Sequence, residues 1–155
     1  MPKASTISTG LSGVAGEYFV AGELSRRGLI ASITLRNTRG VDVLVAGEDA
    51  TRSAGVQVKT NQGSSKSWML TKKAEALEND GLFYAFVNLN GLDAEPTYHI
   101  VPSAIVAERC RSSHSEWLAT PGRGGRPHQD NSIRIFADAE DVWKDRWDVL
   151  DLGAR

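Results

Sequence analysis

A chain of 155 residues, 41% hydrophobic and 24% charged with a formal net charge of −1, is sized for one domain that buries roughly 70% of its unfolded surface. No apolar run approaches the ~20 residues of a membrane-spanning helix, and MPKASTISTG at the N-terminus lacks the apolar stretch of a secretory signal, so no membrane partner is expected. Cys110 is the only cysteine, which excludes an internal disulfide and a cysteine-rich zinc site and fits a reducing, cytoplasmic home.

Residues 1–11 are small and polar and read as a flexible arm; residues 12–155 read as a single domain. Ser12 to Arg27 is an expected helix. Leu11, Val14, Ala15, Tyr18, Ala21 and Leu24 recur at helical spacing, and Gly28 stops it. Leu29 to Leu35 is a first strand, residues 37–40 a turn, and Val41 to Ala46 a second strand. Gly55 to Thr60 is a third strand, alternating apolar and polar. A polar loop over residues 61–66 leads to an expected helix over 71–78 and a turn at Asn79-Asp80-Gly81. Leu82 to Leu89 is apolar enough to be a central strand. Thr97 to Val101 is a fifth strand, and Ser103 caps a short helix running to Arg111. Residues 121–131 form a Gly-, Pro- and Arg-rich loop, 133–136 a short strand, and 139–149 a terminal helix carrying Trp143 and Trp147 one turn apart. This order predicts an α/β or α+β architecture, a central mixed β-sheet flanked by helices. The two tryptophans read first as core packing, with a dimer interface as the sharper alternative.

Charge is segregated along the chain. Residues 36–73 carry a surplus of four positive charges, and residues 137–155 a surplus of three negative ones. A positive field over one face and an unevenly charged solvated surface are equally consistent with that pattern.

The polar residues within the apolar elements are the candidate chemistry. Asp42 is bracketed by Val41 and Val43 at a strand start, where an acid is costly if buried unpaired. Glu17 projects along the inward stripe of the first helix with Val14, Ala21 and Leu24. Gln57 and Lys59, two apart, point to one face of their strand. Two carboxylates and an amide are oxygen donors that suit a hard cation such as Mg²⁺ or Mn²⁺, with the Val58 carbonyl as a further ligand. Lys59 then stands where it can orient water and offset charge growing on a phosphate. That is the chemistry of metal-assisted phosphodiester hydrolysis.

The order of Glu17, then G-V-D-V-L-V, then V-Q-V-K-T resembles the PD-(D/E)XK nuclease superfamily, in particular its resolvase-like branch, where a helix glutamate joins the strand acids. The resemblance covers Ser12 to Thr60 and, less specifically, Trp68 to Glu75 and Leu82 to Pro102. Asp42 matches the first acid, Gln57 the second, Lys59 the lysine and Glu17 the helix glutamate. The chain departs from the pattern at Val41, in place of proline, and at Gln57, in place of Asp or Glu. The Q-x-K form resembles that of homing endonucleases encoded by group I introns. The resemblance implies a restriction-endonuclease-like core, a divalent metal, a DNA partner (double-stranded or branched), and a homodimer or homotetramer for cutting both strands.

Phosphate contacts are expected from Thr60, Asn61 and Lys66 after the site strand, from Lys72 and Lys73 on the next helix, and from Arg123 and Arg126 in the cationic loop. For the two lysines and the loop, a merely solvated surface is the plainer alternative. His99 in a strand, and His114 and His128 in loops, are too scattered for a zinc set. Each site residue alone also has a plainer reading: Lys59 as a surface lysine, Asp42 as a cap on the turn, Glu17 as a partner for Arg26 or Arg27. A non-cutting member of the fold, acting as a binding or inhibitor protein, is the alternative to a nuclease; an RNA-directed nuclease is a third reading.

Overall fold

The structure, a computed structural model, describes residues 6–35 and 39–153. Residues 1–5 of the expected N-terminal arm and residues 37 and 38 of the expected turn lie outside the described residues. In chain order the elements are α1 (Thr9–Arg26), β1 (Ile30–Ile33), β2 (Val43–Ala46), β3 (Ser53–Asn61), β4 (Ser67–Thr71), β5 (Leu82–Asn88), β6 (Thr97–Pro102), α2 (Ser103–Ala119) and β7 (Ile133–Ala137). Three 3₁₀ turns lie at Lys72–Glu75, Arg123–Gly125 and Trp147–Leu150.

The five-stranded sheet has the order β1-β2-β3-β5-β6. Its first three strands form an antiparallel meander, β3 pairs parallel with β5, and β5 pairs antiparallel with β6. β4 and β7 form a separate antiparallel pair. Every residue of β5 is buried, because the strand is central and covered on both faces. Phe83, Ala85 and Val87 join α1 residues Val20 and Leu24 in one cluster. Tyr84 and Phe86 join Trp68, Leu70, Val106, Cys110 and Phe136 of β4, α2 and β7 in the other. Each fully buried side chain of this size contributes about 1.5–3 kcal/mol.

Helix α1 begins at Thr9, three residues before the expected start, because the Ser8 hydroxyl accepts the Leu11 N–H as an N-cap. It ends as expected at Gly28, whose φ of 87° closes the turn. Gly28 N donates to Ser25 O and Leu29 N to Leu24 O, a Schellman pair. The buried stripe differs from the expected one. It is Ser12, Gly16, Val20 and Leu24, while Leu11 and Tyr18 are 61% and 67% exposed. The helix seats on the sheet through small residues that permit close approach, so its largest apolar side chains point outward.

Four other expectations are corrected. The helix over 71–78 is replaced by β4 and a single 3₁₀ turn. In Ser67–Thr71, Trp68 and Leu70 face inward with period two, and Glu75 is committed to an ion pair with buried Arg134. Helix α2 runs on to Ala119, which places His114 on a helix. Ser103 does not cap it; its hydroxyl donates to Asn79 O and accepts from Asn79 N. The terminal helix over 139–149 does not form. The buried Asp138 carboxylate takes the N–H groups of Val142 and Trp143 at 2.9 Å each, Asp141 and Asp145 adopt positive φ, and Ile100 and Asp145 bond across to Trp143 and Tyr98 of the opposing segments. An aspartate that captures backbone donors in this way competes directly with helix formation. Trp147 is buried against Tyr98 with the Arg27 guanidinium over its ring, the core-packing reading of that residue.

Candidate active site

Val56 and Val58 of β3 lie in the α1-side cluster. Gln57 and Lys59 therefore point to the opposite face. On that face β5 is covered by the α2 layer, while Leu44 of β2 and Ile30 of β1 stay 54% and 52% exposed. The amide and the amine thus stand at the border between the covered and open halves of the sheet, both half-buried.

Asp42 joins them from the neighbouring strand. The β2–β3 ladder runs from Ala46↔Ser53 to Val43↔Val56. One step beyond it, the Asp42 side chain replaces the next backbone rung: its Oδ2 accepts the Val58 N–H at 2.7 Å. Asp42 is held from its backbone as well, donating to Val56 O and accepting from Thr34 N, at 2.9 Å each. The carboxylate is thereby fixed at the backbone between Gln57 and Lys59. Its Oδ1 has no partner among the described residues.

Glu17 comes from the other face. It is half-buried on the flank of the α1 stripe, next to Gly16, which packs directly on Thr60 near the end of β3. The end of β3 thus carries Gln57 and Lys59 on its outer face, with Asp42 bonded to it from β2 and Gly16, the chain neighbour of Glu17, packed on it from α1.

The donor chemistry fits a hard cation. Gln57 Oε1 is buried with no hydrogen-bond partner among the described residues, and leaving an acceptor in that condition costs about 1–3 kcal/mol. Among the described residues no group of three or more His, Cys, Asp or Glu is arranged to hold a metal. A divalent ion here would be held by two carboxylates, completed by the Gln57 amide oxygen and the Val58 carbonyl.

The residues expected to contact nucleic acid have separate fates. The Thr60 hydroxyl is enclosed beneath α1 and does not face solvent. Asn61 uses its amide to hold the following loop, donating to Ser65 O and Ser67 O. Lys66 pairs with Asp141 at 2.7 Å, and Lys72 lies 3.7 Å from Asp130. Lys73, Arg123 and Arg126 are exposed and have no ion pair among the described residues. The loop bearing the two arginines is pinned, not loose: His128 stacks on Trp117 at 4.1 Å and bonds its carbonyl. Sequence reading passed over Gly16. The available signal was a glycine in a helix interior, where it costs about 1 kcal/mol relative to alanine.

No protein-family model and no curated protein sequence matches the chain. Solved structures do. A Holliday junction resolvase, Hjc, from the archaeal hyperthermophile Archaeoglobus fulgidus superposes with a TM-score of 0.50 at 12% identity, over 88% of this chain and 92% of that one. The bacterial homing endonuclease I-Ssp6803I superposes with a TM-score of 0.56 at 12% identity, over 92% of each chain. The chain has the fold of these nucleases, the restriction-endonuclease-like core of a mixed sheet between helical layers.

Proposed function

We propose that the chain is a divalent-metal-dependent DNA endonuclease. The observation that carries this reading is the Asp42 carboxylate bonded to the Val58 N–H, between Lys59 and a Gln57 whose buried Oε1 is unpartnered. Glu17, Asp42, Gln57 and the Val58 carbonyl would hold Mg²⁺ or Mn²⁺. The ion, when bound, supplies Lewis acidity toward the phosphodiester and lowers the pKa of water. Lys59 orients the attacking water and offsets the charge that grows on the phosphate. Asp42, tied to the backbone by one oxygen, keeps its other oxygen in a fixed direction with little entropy left to lose on binding. Lys66, Lys72, Lys73, Arg123 and Arg126 supply the phosphate contacts, the last three with the charge most available. Cutting both strands takes two sites, so the working form is a homodimer or homotetramer. The substrate is double-stranded or branched DNA.

Supercoiled plasmid, a four-way junction, single-stranded DNA and RNA are incubated with Mg²⁺ or Mn²⁺, and with EDTA. Cleavage that needs the metal and is lost in Asp42→Ala and Lys59→Ala is the expected result, with roughly 10³-fold or greater loss of rate in each. The neutral amide at position 57 favours a second reading, a non-cutting binding protein on the same scaffold. It predicts no cleavage of any substrate and no Mn²⁺ binding by calorimetry.

A further inference from the structure

Helix α1 contains four glycines, and only one is pressed. A Cβ at Gly13 or Gly22 would meet nothing within 4 Å, and one at Gly10 only Ser8 Oγ at 3.9 Å. A Cβ at Gly16 would lie 1.9 Å from Thr60 Oγ1, 3.0 Å from its Cβ and 3.1 Å from its Cγ2. Thr60 cannot swing aside. It is β-branched and stiff at χ1, and its strand is laddered to Val87 of β5. The Thr60 hydroxyl is buried with no hydrogen-bond partner among the described residues, so shape is what holds it in this place.

The helix is fixed a second time at its start. Gln62, just past β3, accepts the Ile7 N–H at 3.1 Å and donates to the Ile7 carbonyl at 2.6 Å. The loop carrying Gln62 is itself bonded to the end of β5, Leu89 N to Asn61 O and Gly91 N to Gln62 O. The chain neighbours of the pressed pair are Glu17 on the helix and Lys59 on the strand.

We propose that the contact between Gly16 and Thr60 is the positioning device of the site, setting how closely Glu17 approaches the group formed by Asp42, Gln57 and Lys59. Thr60 is on this account a positioning residue and not a nucleic-acid contact. The proposal rests on the metal-dependent reading above. A methyl at position 16 lifts the helix off β3 and withdraws Glu17, while Val20 and Leu24 keep the helix docked.

The test measures Mn²⁺ affinity by calorimetry, with circular dichroism to confirm folding. Gly22→Ala, on the same helix in open space, is expected to bind like the native chain. Gly16→Ala is expected to lose about tenfold in affinity, and Gly16→Ala/Thr60→Gly, which restores the space, to recover most of it. The deciding arm is a double-mutant cycle: in a Glu17→Ala background, Gly16→Ala should cost nothing further. If Gly16→Ala does not fold, Thr60→Ala carries the same cycle from the strand side. It is expected to weaken binding about threefold with Glu17 present and not at all without it. Equal losses in both backgrounds, or native affinity in folded Gly16→Ala, overturn the proposal. A native chain that binds no Mn²⁺ overturns the metal-dependent reading and this proposal with it. A native chain that binds Mn²⁺ but is indifferent to Glu17→Ala overturns the proposal alone.

Discussion

On the proposed metal-dependent reading, Gln57 is the residue on which the chemistry turns. It supplies an oxygen but no charge, so a cation held by Glu17 and Asp42 is less fully neutralised than one facing three carboxylates, and ligand charge count is a main control of affinity at hard-cation sites. Gln57→Glu is therefore expected to tighten Mn²⁺ binding about tenfold, or ~1.4 kcal/mol, by calorimetry at neutral pH; unchanged affinity would remove Gln57 from the ligand set. The placement of the candidate site's strand residues was legible in the sequence because side-chain direction alternates strictly along a strand. Gln57 and Lys59 had to share a face, and Asp42 opposite them had to find a donor. The same rule already placed Thr60 with Val56 and Val58 on the helix side, yet its hydroxyl suggested a phosphate contact. Gly16 was not legible, since a helix glycine reveals its purpose only when the residue it presses against is known.

Elements were legible where hydrogen-bonding partners lie within the element, and failed where they lie elsewhere. Helix α1 carries its own cap and stop; its end was read to within a residue, while its start lies three residues before the expected one. The segment after β7 has apolar residues at helical spacing, but its backbone donors go to Asp138. That carboxylate accepts from Val142 and Trp143 and contacts His99 Nδ1 at 2.7 Å, with both side chains almost fully buried. No periodicity analysis sees a competitor of that kind. Truncating it should be severe: Asp138→Ala strands two backbone N–H groups and a buried imidazole, an expected loss of roughly 3–5 kcal/mol by urea denaturation. A loss below ~1 kcal/mol would mean that the segment holds its path by the packing of Trp147 and Leu150 instead. The β4 error has a simpler origin. Ser67–Thr71 alternates as a strand should, but the lysine-rich sequence after it, Lys72 to Glu78, invited a helix that Glu75 leaves by pairing with Arg134.

Across the whole molecule, the segregation of charge along the sequence is partly undone by the fold. The acidic C-terminal segment returns to the basic middle, pairing Asp141 with Lys66 and Asp151 with Arg52. The Lys66 ammonium holds the Asp141 carboxyl below its usual range. The Arg146 guanidinium does the same for Asp148, and the His114 imidazole for Asp130. Asp130 and Asp148 are exposed and Asp141 is half-exposed, so their pairs are screened by solvent and acid should reach the fold only weakly through them. The alkaline side is different, because its groups are in the core. Burial pushes the Cys110 thiol from 9.0 to about 11, and the Tyr84 and Tyr98 hydroxyls from 10.0 to about 12. The folded state keeps these protons longer than the unfolded chain does. Their contribution is complete below pH 9, erodes first through Cys110 and then through the tyrosines, and is lost as pH rises through about 12. Cys110 and Tyr84 lie in the α2-side cluster and Tyr98 in the α1-side cluster, so both layers should loosen over one range. Urea midpoints should hold steady up to pH 9 and fall steeply above it. In Cys110→Ala the onset should move up toward pH 10, the ordinary tyrosine value. A midpoint that does not change between pH 9 and 11 would show that the core yields its protons no later than the unfolded chain, and that its burial of these groups is incomplete.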